Sequence, residues 1–131
     1  MRWLVDGMNV IGSSGGGRAG GFQSWWKDRD AAMLRLVDML ERWAVDYGDD
    51  VTVVFERAPR PPIRSTVIEV AHAPKPKPNA ADDEIVRRLK ADGNPSEVRV
   101  VTSDRWLADQ AWAAGASVEG ADSFRTRLEN S

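Results

Sequence analysis

The sequence contains no cysteine and a single histidine, His72. Without cysteine there is no disulfide, no thiolate nucleophile and no Cys-ligated zinc. A Ser-His-Asp triad would have to use His72. Its flanks, "EVAHAPKPKP", read as a strand end running into a loop, with no nucleophile signature nearby. A surface or loop histidine is the simpler reading. Apolar runs long enough to cross a bilayer are missing too, so no membrane partner is expected. The opening "MRWLVDGMN" lacks a signal-peptide apolar region, because Asp6 interrupts it. These absences favour a cytoplasmic protein. Basic excess is also absent: the net charge is −2, unlike that of most nucleic-acid binders. What remains for catalysis is carboxylates, hydroxyls and basic side chains.

With 131 residues, 42% of them apolar and 29% charged, the chain suits one soluble globular domain over residues 1–131. Its charge is unevenly spread. Between Arg57 and Pro78 stand Arg57, Arg60, Arg64, Lys75 and Lys77 against one acidic residue, Glu69. Composition alone makes this a solvated loop. Carboxylates grouped around a metal would hide such a patch in the total.

Four short apolar runs lack strict alternation: "WLV" at 3–5, "VTVVF" at 51–55, "TVIEV" at 66–70 and "VRVVT" at 98–102. Such β-branched runs suit strands buried on both faces, as in parallel sheets. Helical patterns lie between them. From Asp28 to Tyr47 the residues Met33, Leu36, Val37, Leu40, Trp43, Ala44 and Tyr47 form one stripe, with Gly48 as a stop. From Asp82 to Lys90 the stripe is Ile85, Val86 and Leu89. From Asp104 to Ala114 it is Trp106, Leu107, Gln110, Ala111 and Ala114, closed by Gly115. A short "ASV" run and a last helix with Phe124 and Leu128 finish the chain. The alternation predicts an α/β domain with a mainly parallel sheet and helices on both faces. "RAPRPPIR" and "PKPKPN" read as stiff connections. The six tryptophans are expected mostly in the core, with packing also the better reading for the adjacent pair Trp25 and Trp26.

Acidic residues follow three of the predicted strands: Asp6, Glu56 and Asp104. Ligands bind an open parallel sheet outside the carboxyl ends of its strands. Asp82 and Asp83 open a helix, and a helix that follows a parallel strand begins at that same edge. One topology therefore gathers Asp6, Glu56, Asp82, Asp83 and Asp104. Each has a structural explanation alone: Asp104 as a helix cap, Asp82 and Asp83 as complements of the helix dipole, Asp6 as part of a turn with Gly7. Their shared edge points to a function. Crowded carboxylates repel and have raised pKa values unless a cation neutralises them. An oxygen-only set without histidine or cysteine suits a hard ion, Mg²⁺ or Mn²⁺, of the kind used in phosphoryl chemistry.

"LVDGMNVIG" resembles the opening strand of NYN domains, the PIN-like ribonuclease group that includes the bacterial YacP-type proteins. "NAADDEIVRRL" is similar to that group's acidic helix start, and "VRVVTSDRWLADQAWAAGASV" to its later strand, Ser-Asp turn and helix. "DSFRTRL" fits its closing helix, so the likeness spans nearly the whole chain. The resemblance implies a three-layer α/β/α PIN-like domain that hydrolyses RNA phosphodiesters with a metal. By motif match Asp6, Asp82 and Asp104 would hold the metal, with Asp83 supporting. Asn9 and Ser103 would orient that shell. Glu56 stands where the family often has Asp, and Asp109 is a further acidic candidate. The glycine-rich insert at 12–21 is outside the family signature.

The leading reading is a Mg²⁺- or Mn²⁺-dependent ribonuclease, with Arg57, Arg60, Lys77 and Arg105 as candidates for holding RNA phosphates. A homodimer is compatible with it. The alternative is a non-catalytic RNA-binding adaptor on the same fold. A third reading rests on Gly15-Gly16-Gly17-Arg18-Ala19-Gly20, which matches the G-x-G-x-x-G of dinucleotide loops. Such a loop must turn directly from strand to helix. Here the strand stops near Asp6 and the next expected helix starts only near Asp28, so the match is a chance pattern in a loop.

Overall fold

The computed structural model describes residues 1–13 and 24–130. The glycine pattern from Gly15 to Gly20 and most of the insert at 12–21 lie outside the described residues. Five strands form one sheet in the order β3-β2-β1-β4-β5, all parallel. The strands are β1 (Arg2–Asp6), β2 (Asp50–Phe55), β3 (Glu69–His72), β4 (Val98–Val101) and β5 (Ser117–Glu119). The helices are α1 (Gly7–Ile11), α2 (Arg29–Tyr47), α3 (Ala80–Ala91), α4 (Arg105–Ala114) and α5 (Ala121–Glu129). Among the described residues, no helix is long and apolar enough to cross a membrane.

The central strands bury both faces because they carry apolar residues at odd and even positions alike. Trp3, Val5, Val51, Val53, Phe55 and Val101 join α1, α2 and α5 in one core. Leu4, Val54, Val98 and Val100 join α3 and α4 in the other. The result is a three-layer α/β/α arrangement. In the first core Trp3 lies 4.9 Å from Trp43 and 5.5 Å from Phe124, ring centroid to centroid. Aromatic pairs of this kind add about 0.5–1.5 kcal/mol beyond simple burial.

Gly48 ends α2 in the left-handed region, with φ 69°. Three local expectations need correction. Only the end of the run at 66–70 is strand. The Ser65 hydroxyl accepts the backbone N–H groups of both Val67 and Ile68, so that segment turns, and β3 starts at Glu69. Asp6 does not lead into a loop: β1 passes at once into α1. Gly7 permits this junction, because a Cβ there would stand 2.5 Å from Phe55 Cε1. Finally, only Trp3 and Trp43 of the six tryptophans are buried. Trp25 packs partly against the core, whereas Trp26, Trp106 and Trp112 are at least half exposed. The buried face of α4 is narrow, made by Leu107, Ala108 and Ala111, and Trp106 falls on its rim.

Candidate active site

Strand parity decides which side chains meet. Leu4, Val54, Val98 and Val100 enter the α3/α4 layer. Asp6, Glu56 and Thr102 continue the same even-numbered series at the carboxyl ends of their strands. α3 begins above this edge. It starts at Ala80, two residues earlier than the acidic pair suggests, and its amino-terminal cap is Asn79, in the left-handed region at φ 62°. Asp82 is thus the third residue of α3 and not its cap. It is buried, whereas Asp83 is 60% exposed and stands 3.5 Å from Lys77 Nζ.

Asp6 is 5% exposed at the end of the central strand. The Thr102 hydroxyl donates to its Oδ2 at 3.1 Å. The backbone N–H of Asp104 donates to the same hydroxyl oxygen, also at 3.1 Å. Asp104 Oδ1 in turn accepts the Leu107 N–H and caps α4. Beside this chain, Asn9 Oδ1 accepts the Ser103 N–H at 2.8 Å, and Ser103 Oγ accepts the Ala121 N–H at 2.9 Å. Asn9 and Ser103 thereby tie β1–α1, β4–α4 and the start of α5 together around the carboxylates.

Burial pushes the Asp6 carboxyl up to about 7, and the charge of Asp82 adds to the effect. The Thr102 hydroxyl and the Asn9 backbone N–H oppose it, and Asp104 adds a smaller push. Asp82 is raised to about 6, first by burial, then by Asp104 and Asp83; a hydrogen bond with Asp6 opposes this and Glu56 contributes. Asp6, Asp82, Asp83, Asp104 and Glu56 therefore share one electrostatic neighbourhood. Among the described residues, no three acidic, histidine or cysteine side chains are already drawn together tightly enough to hold an ion.

Other candidates stand apart. Asp109 lies on the exposed side of α4, 3.7 Å from Arg105, which is itself 89% exposed. Arg57 is bound to Asp30 at 2.9 Å, and the Arg60 backbone N–H donates to the same carboxylate. The Arg57 guanidinium holds Asp30 below the usual carboxylate range. His72 is exposed at the end of β3, its Nδ1 2.9 Å from the Ala73 carbonyl oxygen. Sequence reasoning missed Thr102, whose signal was its even position after Val98 and Val100.

The profile of the YacP-like NYN domain matches residues 3–131. The chain belongs to the YacP-like NYN domain family. This is a ribonuclease-type family. The fold agrees. The crystal structure of Rae1 (YacP) from Bacillus subtilis superposes with a TM-score of 0.77 at 23% identity, over 99% of this chain and 74% of that one. Its W164L mutant gives 0.78 at 21% identity, over 98% and 75%. No curated protein sequence matches the chain. In this YacP-like domain, the matched span contains every carboxylate described above.

Proposed function

We propose that this domain cleaves RNA phosphodiester bonds at the edge formed by Asp6, Asp82 and Asp104, with Mg²⁺ or Mn²⁺ as cofactor. The observation that carries the reading is Asp6: a carboxyl at the end of the central strand, buried and pushed up to about 7 by burial and by Asp82. Burying Asp6 and Asp82 among further carboxylates is costly while they are charged, and a cation offsets that cost. The donor set is all oxygen and suits a hard ion. When bound, such an ion supplies an activated water and charge stabilisation for in-line attack on phosphorus.

The chain's own residues have separable roles in this proposal. Asp6 and Asp82 would hold the ion from β1 and α3 as carboxylates. Asp104 keeps one oxygen on the Leu107 N–H and offers the other. Thr102 orients Asp6 through its hydroxyl. Asn9 and Ser103 fix the spacing of the β1 and β4 ends. Asp83 and Glu56 add negative charge from the rim.

The test is cleavage of single-stranded RNA with Mn²⁺ or Mg²⁺, with chelator, and with Asp6→Asn. Cleavage should need the ion and vanish in the variant. RNA binding without any cleavage would favour the adaptor alternative.

A further inference from the structure

Beside the carboxylates a cleft of about 500 Å³ opens between α1, α2 and the segment before α3. The half-buried Met8, with Pro76 and Pro78, makes it partly apolar, over a floor closed by the buried Met33, and Arg29, Arg57 and Lys77 bring positive charge. Arg57 is committed to Asp30. Arg29 has no carboxylate partner among the described residues; its guanidinium lies 5.3 Å from the Trp25 ring centroid. Lys77 reaches Asp83 only at 3.5 Å, with both side chains at least 60% exposed, a contact that water easily replaces. Glu56 and Asn79 complete the lining. Asn79 caps the helix that carries Asp82, so the cleft adjoins the carboxylates although Asp6, Asp82 and Asp104 do not line it.

A hollow of this size, with one accessible thioether and two weakly held cations, matches one nucleotide. Thioethers pack well on flat rings, and cations hold phosphate. Glu56 repels phosphate from its side, which turns the base toward Met8. We propose that the cleft seats one nucleotide of the RNA strand next to the bond cut, with its base on Met8 and its phosphate on Arg29 and Lys77. This rests on the RNA-cleaving reading above.

The test is made in chelator, so that nothing is cut. Binding of a fluorescein-labelled single-stranded RNA oligomer is followed by anisotropy, with AMP and ribose 5-phosphate as competitors. Circular dichroism confirms that each variant is folded. Arg29→Ala should weaken the oligomer about tenfold and lower the salt slope by about one. Met8→Ala should weaken competition by AMP severalfold and leave that by ribose 5-phosphate unchanged. Arg42→Ala, elsewhere on α2, should change nothing. If the wild type binds RNA and both cleft variants bind as it does, the nucleotide seat is wrong and the cleavage reading stands. Equal competition by AMP and ribose 5-phosphate would remove the base contact. AMP bound more tightly than the oligomer would make this a free-nucleotide site and overturn the proposal. A wild type that binds no RNA would overturn both readings.

Discussion

Asp82 and Asp83 are neighbours in sequence with opposite surroundings. One is 7% exposed beneath the end of β1, and the other points outward toward Lys77. Asp82→Asn should abolish metal-dependent RNA cleavage, a loss of at least about 10³-fold for a central electrostatic group. Asp83→Asn should cost about tenfold or less. Cleavage rates and Mn²⁺ titrations on the two variants check this, and a more damaging Asp83→Asn would reverse the assignment. Thr102 carries a second expectation. Thr102→Val keeps the shape and removes the only side-chain hydroxyl that donates to Asp6 among the described residues. It should raise the Asp6 pKa further and weaken Mn²⁺ binding by roughly 10-fold, the usual scale for such partners. Calorimetry with Mn²⁺ reads it out.

At the scale of elements, the α1 junction sets where Asp6 stands. Gly7→Ala would drive a methyl into Phe55, a fully buried ring. Overpacking of this kind costs about 1–3 kcal/mol, so chemical denaturation should show a lowered midpoint. The strand and helix order was legible in the sequence because continuous valine runs and 3.6-residue stripes are strong, independent signals. The carboxylate edge was legible for the same reason: parallel strands bring their ends together whatever the loops do. Other features were hidden because tertiary contacts decide them. Five residues of α1 are too few for a stripe, and the helix depends on the Gly7–Phe55 approach. β3 starts late because a serine side chain takes the backbone donors of residues 67 and 68. Trp106 looked inward by spacing, yet α4 meets its neighbours through two alanines and one leucine, leaving no depth for an indole.

For the molecule as a whole, the acidic edge sets how stability depends on pH. The Asp6 and Asp82 carboxyls have raised pKa values in the folded state, so between pH about 4 and about 7 the native protein holds more protons than the unfolded chain. Stability must then fall as pH rises through that window. Asp30, Glu84 and Asp92 are lowered by their arginine and backbone partners, and their stabilising effect is lost only on acidification below the ordinary carboxylate range. Metal-free protein should therefore melt several degrees lower at pH about 8 than at pH about 5, a difference on the order of a few kcal/mol. Asp6→Asn should flatten that slope, and Mn²⁺ should restore the melting temperature at high pH by mass action. Melting curves across pH, with and without the ion, test all three. A metal-free slope of the opposite sign would show that Asp6 is not held protonated.

β1 sits in the middle of the sheet, and one of its two neighbours, β4, begins only at Val98. During synthesis the first strand therefore waits until residue 98 and those after it are made before its second edge is covered. Thr102 and Asp104 arrive later still, 96 and 98 residues behind Asp6 in the order of synthesis (102 − 6 and 104 − 6). Closing so long a loop makes this pairing a late event in folding. A fragment ending at residue 97 should show no cooperative unfolding transition by circular dichroism. A half-made chain, still tethered to the RNA that encodes it, carries Asp6 and Asp82 without the strand that aligns them. The acidic edge is thus completed only late in the making of the domain.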